Sequence, residues 1–95
     1  MGSENFEWDD DKNLDNIIKH HVSFEEAKMV FDDVKRIVID DEKHSLFEDR
    51  MFCIGKFGDE IATIRFTMRN GKIRILGAGF WRKGRALYEK RSGIY

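Results

Sequence analysis

Proline is absent from this sequence, cysteine occurs once, and no apolar run approaches the ~20 residues that a membrane-spanning helix requires. With no proline, no internal repeat and no linker composition, the 95 residues read as one domain over 1–95, its first five residues expected to be flexible. The lone Cys53 excludes an internal disulfide framework and a Cys-rich zinc cluster. The N-terminus lacks the pattern of a secretory signal, so a cytoplasmic location is the default expectation. Missing too are a Walker loop, a His-Glu-x-x-His pair and clustered carboxylates in the C-terminal half. A hydrolase with its own metal is therefore not expected, and no cofactor is implied.

Charge is abundant but unevenly placed. Residues 1–49 hold fifteen Asp/Glu against six Lys/Arg, whereas residues 50–95 hold eleven Lys/Arg against three Asp/Glu. The halves carry −9 and +8, which together give the net charge of −1. Such a split suggests an acidic and a basic half with separate partners. The plainer alternative is a fold that lays acidic helices over basic strands and neutralises both.

Asp9-Asp10-Asp11 offers an N-cap and a favourable first turn for a helix running from Lys12 to about His20. Its apolar stripe is Leu14, Ile17, Ile18 and Val22, and His20-His21 suits the negative end of its dipole. Ser23-Phe24-Glu25-Glu26 is a capping box opening a second helix, with Phe24, Ala27, Val30, Phe31 and Val34 on one stripe and an end near Asp32-Asp33. Four strands follow, at Arg36–Ile39, Arg50–Lys56, Ile61–Arg69 and Lys72–Ala78. Asn70-Gly71 pins the last two as an antiparallel hairpin. Arg82–Arg91 reads as a short helix with Ala86, Leu87 and Tyr88 inward. The expected fold is α+β: two N-terminal helices packed on a four-stranded antiparallel meander sheet, then a C-terminal helix, all against one sheet face.

The stretch Lys72–Tyr88 concentrates the chemistry. A strand passes through Gly77-Ala78-Gly79, presents Phe80 and Trp81, and continues into Arg82-Lys83-Gly84-Arg85. Such a handover suits a phosphate chain and a stacked base, although Trp81 equally reads as a core plug beneath the bend. On the third strand Thr63, Arg65, Thr67 and Arg69 share a face opposite Ala62, Ile64 and Phe66. Lys72 and Arg74 of the fourth strand join that cationic face, and Arg50 stands near it. Guanidiniums gathered there would hold phosphates and stabilise a developing phosphorane charge. The candidate RNA-binding set is Arg65, Lys72, Trp81, Arg82, Lys83 and Arg85; the alternative is a solvated face bridged to acidic loops. Metal-free RNA cleavage also needs a base for the 2′-hydroxyl and an acid for the leaving oxygen. His44, Lys56, Lys83 and Tyr88 are the available groups, with a solvated loop for His44 and helix packing for Tyr88 as plain alternatives.

The ordered pattern resembles the BrnT family of toxins from bacterial type II toxin–antitoxin modules. Phe6-Glu7-Trp8-Asp9 with Lys12, Asn16 and Lys19-His20 is similar to the family's opening, and Val22 to Ala27 with Val30-Phe31-Asp32-Asp33 to its second helix. Asp40-Asp41, His44-Ser45, Glu48-x-Arg50, Ile54-Gly55, Phe66-Thr67, Arg69, Ile73-Arg74-Ile75 and Tyr88-Glu89 continue the match over residues 6–89. The resemblance implies a RelE-like fold and a metal-independent endoribonuclease that arrests translation. It also implies neutralisation by a DNA-binding antitoxin of the BrnA type, in a heteromeric complex that reaches operator DNA through the antitoxin. It assigns Arg50, Arg69 and Arg74 to the phosphate-binding surface, with His44 and Tyr88 around it; these five form the candidate catalytic set. One departure stands out: many members carry Ser-Ala-Arg where this chain has Gly77-Ala78-Gly79. Either Arg82 or Lys83 replaces the missing cation, or cleavage is weak or absent. The competing expectation is a non-catalytic RNA- or protein-binding module that acts only as the antitoxin's partner in operon repression.

Overall fold

A computed structural model describes residues 5–93, so the expectation of a flexible start falls almost wholly outside the described residues. Helix α1 (Asp10–His20) begins two residues before the expected Lys12, because the Asp9 carboxylate accepts from the backbone N–H groups of Asp11 (2.8 Å) and Lys12 (3.2 Å). It ends at His21, which takes a left-handed conformation (φ 62°). The Ser23–Glu26 capping box is formed as expected and opens α2 (Phe24–Ala27). After this single turn the chain tightens into a 3-10 helix over Lys28–Asp32, shorter than a full second helix. Phe24, Ala27 and Val30 are buried, while Val34, past the helix end, is 90% exposed.

The sheet corrects the expected meander in two respects. Among the described residues it has five strands, not four, in the order β1-β5-β4-β3-β2, and one pairing is parallel. Strands β2 (Ile37–Asp40), β3 (Arg50–Phe57), β4 (Glu60–Arg69) and β5 (Lys72–Gly79) form the antiparallel part near their expected positions. The Asn70-Gly71 hairpin is realised with φ of 54° and 78°, the left-handed pair that a tight two-residue turn requires. The extra strand is β1 (Phe6–Glu7), parallel to β5 with Phe6 opposite Ile73 and Glu7 opposite Arg74. Two residues are too few to show any periodicity, so sequence pattern does not reveal such a strand. Phe6, Phe31 and Phe66 stack edge to face at 5.3 and 5.2 Å and fasten it to the core.

Both sheet faces are covered, again unlike the expectation. One face carries the main core: Val22, Phe24, Ala27 and Val30 pack on Cys53, Ala62, Ile64, Phe66, Ile75 and Ala78. Burial pushes the Cys53 thiol up to about 12, which leaves it an inert core group. Helix α3 (Arg82–Ser92) lies on the opposite face, where Tyr88 packs with Ile37 and Ile54. Gly84 makes this approach possible: a Cβ there would stand 2.3 Å from the Thr63 hydroxyl oxygen. Ala86 faces solvent, contrary to its expected inward position. On α1 the stripe Leu14, Ile17 and Ile18 is exposed, at 57, 38 and 73%, and the buried residue is Asn16.

Asn16 is buried because its amide replaces a missing strand partner. Beyond Arg74 strand β1 ends, and the edge of β5 is open at Ala78. The Asn16 side chain donates to the carbonyls of Ala78 (2.9 Å) and Val22 (2.8 Å) and accepts from the Ala78 N–H (3.1 Å). On the far side of the sheet, the Tyr88 hydroxyl donates to Asp33 Oδ2 at 2.5 Å, which ties α3 to the loop after the 3-10 helix.

Replacing Asn16 with Ala leaves buried backbone groups unpaired and is expected to cost about 3 kcal/mol in urea unfolding, since each such group costs ~1–3 kcal/mol. Burial, then the bond to Asp33 and its charge, push the Tyr88 hydroxyl up to about 12. The group is neutral when folded and ionises near its ordinary value of 10 when unfolded. Its stabilisation is complete below pH 10 and lost as pH rises towards 12. Unfolding curves across that range should show an alkaline loss of stability that Tyr88→Phe largely removes.

Candidate functional site

The register of the sheet arranges the face bearing α3 in rows. Arg50 of β3 stands opposite Thr67 of β4, which stands opposite Arg74 of β5. The next row is Phe52, Arg65 and Gly77, and the one after it Ile54, Thr63 and Gly79. Between Phe66–Ile75 and Arg65–Gly77 the pairing shifts, so that Leu76 and Gly77 together face the single Arg65. The α3 end of this face is apolar and covered. The other end carries arginines and is open.

Three hollows run along the open part. The first, of about 500 Å³, is lined by Lys43, His44, Leu46, Phe47, Glu48, Arg50 and Arg69. The second, of about 320 Å³, is lined by Lys12, Asp15, Asn16, Lys19, His20, Arg50, Arg65, Leu76 and Gly77. The third, of about 300 Å³, lies between Asn16, His20, Phe52, Thr63, Arg65, Phe80 and Trp81, over the bare backbone of Gly77 and Gly79. Arg50 is common to the first and second, and Arg65 to the second and third. The hollows thus form one groove with a guanidinium at each junction.

In the first hollow the imidazole of His44 meets the buried carboxylate of Asp41, with Nδ1 2.9 Å from Oδ2. A carboxylate on Nδ1 fixes the tautomer and leaves Nε2 free for proton transfer. Ser45 holds the loop by donating to the Asp41 carbonyl at 2.7 Å, and the Arg50 N–H donates to its hydroxyl at 3.0 Å. The Thr67 hydroxyl donates to the Asp49 carbonyl at 2.6 Å and anchors the loop's other end. Glu48 lies between two guanidiniums, 2.9 Å from Arg69 Nη2 and 3.4 Å from Arg50 Nε. The hydrogen bond from Arg69 is the main influence holding the Glu48 carboxyl below the usual range; its partial burial opposes this and Arg50 adds to it.

Of the five candidate catalytic residues, three are brought together here: His44, Arg50 and Arg69. Arg74 shares the Arg50 row but pairs with Glu7 at 3.2 Å, outside the hollows. Tyr88 is buried in the apolar cluster under α3 with its hydroxyl on Asp33, so the structure separates it from the arginines. Among the candidate RNA-binding residues, Arg65 and Trp81 line the groove. Lys72 is at the β4–β5 hairpin, Arg82 and Lys83 are exposed on the first turn of α3, and Arg85 pairs with Glu89 at 3.0 Å. Lys56 is exposed near the far end of β3. The candidate sets omitted Asp41, Lys43, Glu48, Lys12, Lys19, His20 and Phe52. Asp41 and His44 are three apart, a spacing that one helical turn brings together; the cations of α1 carried no comparable signal.

A family model for the ribonuclease toxin BrnT of type II toxin–antitoxin systems matches residues 8–84. The chain belongs to the BrnT toxin family. No curated protein matches it. The BrnT match takes in the whole groove, from Lys12 to Trp81, and ends before Tyr88. Its family is one of ribonucleases, and a type II toxin has an antitoxin as its partner. Among the described residues no helix is long and apolar enough to cross a membrane, and no three His, Cys, Asp or Glu side chains are grouped to hold a metal ion.

The two guanidiniums at Glu48 give a direct check on the geometry. A carbon-detected NMR titration should find the Glu48 carboxyl titrating below its ordinary value, and Arg69→Gln should return it most of the way.

Proposed function

We propose that this chain is a metal-independent endoribonuclease that inhibits translation, with its reaction centre in the hollow of His44, Arg50 and Arg69. The observation that carries the reading is the oriented His44 imidazole in the same hollow as two guanidiniums. His44 Nε2 takes the proton of a ribose 2′-hydroxyl, and the oxygen attacks the adjacent phosphorus. The bond to the 5′-oxygen breaks, leaving a 2′,3′-cyclic phosphate on one fragment and a 5′-hydroxyl on the other. Lys43, in the same hollow, is the group able to protonate the departing oxygen. Arg50 and Arg69 hold the phosphate and neutralise the charge that builds on it in the transition state. Glu48 keeps both guanidiniums aimed at one point until a phosphate takes its place. Arg74, held by Glu7, adds to the field without lining the hollow.

A BrnA-type antitoxin that covers the groove would neutralise the toxin, and the complex would reach operator DNA through the antitoxin. A specific observation favours a second reading, that of a binding module without turnover: Glu48 and Glu7 already engage Arg50, Arg69 and Arg74. A partner presenting carboxylates would then hold the face by exchange with these two.

Incubation of the purified protein with a defined RNA in EDTA separates the readings. Cleavage with cyclic-phosphate ends is expected, lowered ~10²-fold or more by Arg50→Ala or Arg69→Ala and by His44→Gln. Intact RNA bound in a salt-sensitive manner would establish the binding module, and cleavage abolished by EDTA would overturn metal independence.

A further inference from the structure

The third hollow has no place in the cleavage step, yet it is equipped for a ligand. Arg65 makes no ion pair among the described residues, whereas Arg50, Arg69 and Arg74 on the same face each meet a glutamate. Its Nε is buried and has no hydrogen-bond partner among the described residues. That atom lies too deep for a ligand to reach, but Arg65 as a residue is half-buried and lines the hollow, so an acceptor there meets the outer nitrogens of a guanidinium that no carboxylate holds. The guanidinium is laid against Gly77, with Nη2 3.2 Å from where a Cβ would stand.

Beside it, Phe52 and Trp81 stack at 5.2 Å with their planes 41° apart, and Trp81 keeps 42% of its surface exposed. The exposed ring of His20 closes the opposite wall, 3.7 Å from the Cβ position of Gly79. A volume of about 300 Å³ is at the lower end of the range for small-ligand sites. An indole face, a free guanidinium and an imidazole edge together match the three parts of a nucleotide: the flat base, the phosphate and the polar base edge.

We propose that the hollow takes one unstacked nucleobase of the RNA strand, stacked on Trp81, with its phosphate on Arg65. This rests on the reading of the groove as an RNA site and adds to it a base-holding subsite next to the reaction centre. The strand then passes from Arg65 through the second hollow, among Lys12, Lys19 and Arg50, to the phosphate that is cleaved. The cation at Arg65 stands where Gly77 and Gly79 contribute no side chain.

Quenching of Trp81 fluorescence by nucleoside 5′-monophosphates at low salt tests the subsite without reference to cleavage. Trp81→Phe assigns the signal, because the other tryptophan, Trp8, is partly buried against the main core and does not line this hollow. Nucleotides should quench the wild type, and Trp81→Phe should lose the quench. Arg65→Gln should weaken binding at least tenfold, as should Gly79→Leu, which fills the hollow and leaves the cation in place. Ribose 5-phosphate should neither quench nor compete at the same concentration. The proposal is overturned if nucleotides do not quench, if ribose 5-phosphate competes equally, or if Arg65→Gln binds like wild type. Nucleotide binding without RNA cleavage would sink the ribonuclease reading alone, and cleavage without quenching would sink the subsite alone.

Discussion

The side-chain amide of Asn16 closes the open edge of β5 at Ala78 and at the same time holds the carbonyl of Val22. Nothing else in α1 is buried, so this one group, not an apolar stripe, decides how the helix lies on the sheet. Hydrophobic contact tolerates sliding, whereas paired donors and acceptors fix both distance and direction. One turn after Asn16 comes His20, against Gly79; one turn before it comes Lys12. The amide therefore positions the cationic and imidazole side of the groove.

The sheet divides its labour between its faces. One is a conventional core of aliphatic and aromatic side chains. The other is covered by α3 over part of its length; the uncovered part carries four arginines, of which Arg50, Arg69 and Arg74 keep 25% or more of their side-chain surface exposed. Three of these are bridged to glutamates of the acidic half. Ion pairs this open to solvent are weak, so they hold the guanidiniums in place without locking them. Glutamates of the acidic half do meet the arginines of the basic half, but they come from β1 and from the loop before β3, not from helices laid over the strands.

Most of the antiparallel sheet was legible because its signals are local: alternation along β3 and β4, and a turn sequence at Asn70-Gly71 that only one kind of hairpin suits. The capping box at Ser23 was legible for the same reason. The parallel strand at Phe6-Glu7 was not, since its pairing with Ile73 and Arg74 spans most of the chain. The exposed Leu14, Ile17 and Ile18 follow helical spacing faithfully, but spacing does not say whether a partner lies opposite. His44, Arg50 and Arg69 were identified by residue type and resemblance, and the structure places them in one hollow. Glu48, which lies between the two guanidiniums, was visible only as part of a motif, because a carboxylate among arginines has no signature until distances are known.

The pairing of β1 with β5 also has a meaning in time. Residue 6 finds its strand partner only at residue 73, and Arg65 finds Gly77 only when β5 exists. A chain growing from its N-terminus exposes its acidic half first and has neither a closed sheet nor a groove. The surface that would hold RNA comes into being only when nearly the whole polypeptide has been made, so unfinished copies on the ribosome carry the acidic halves of the ion pairs without the cations they neutralise.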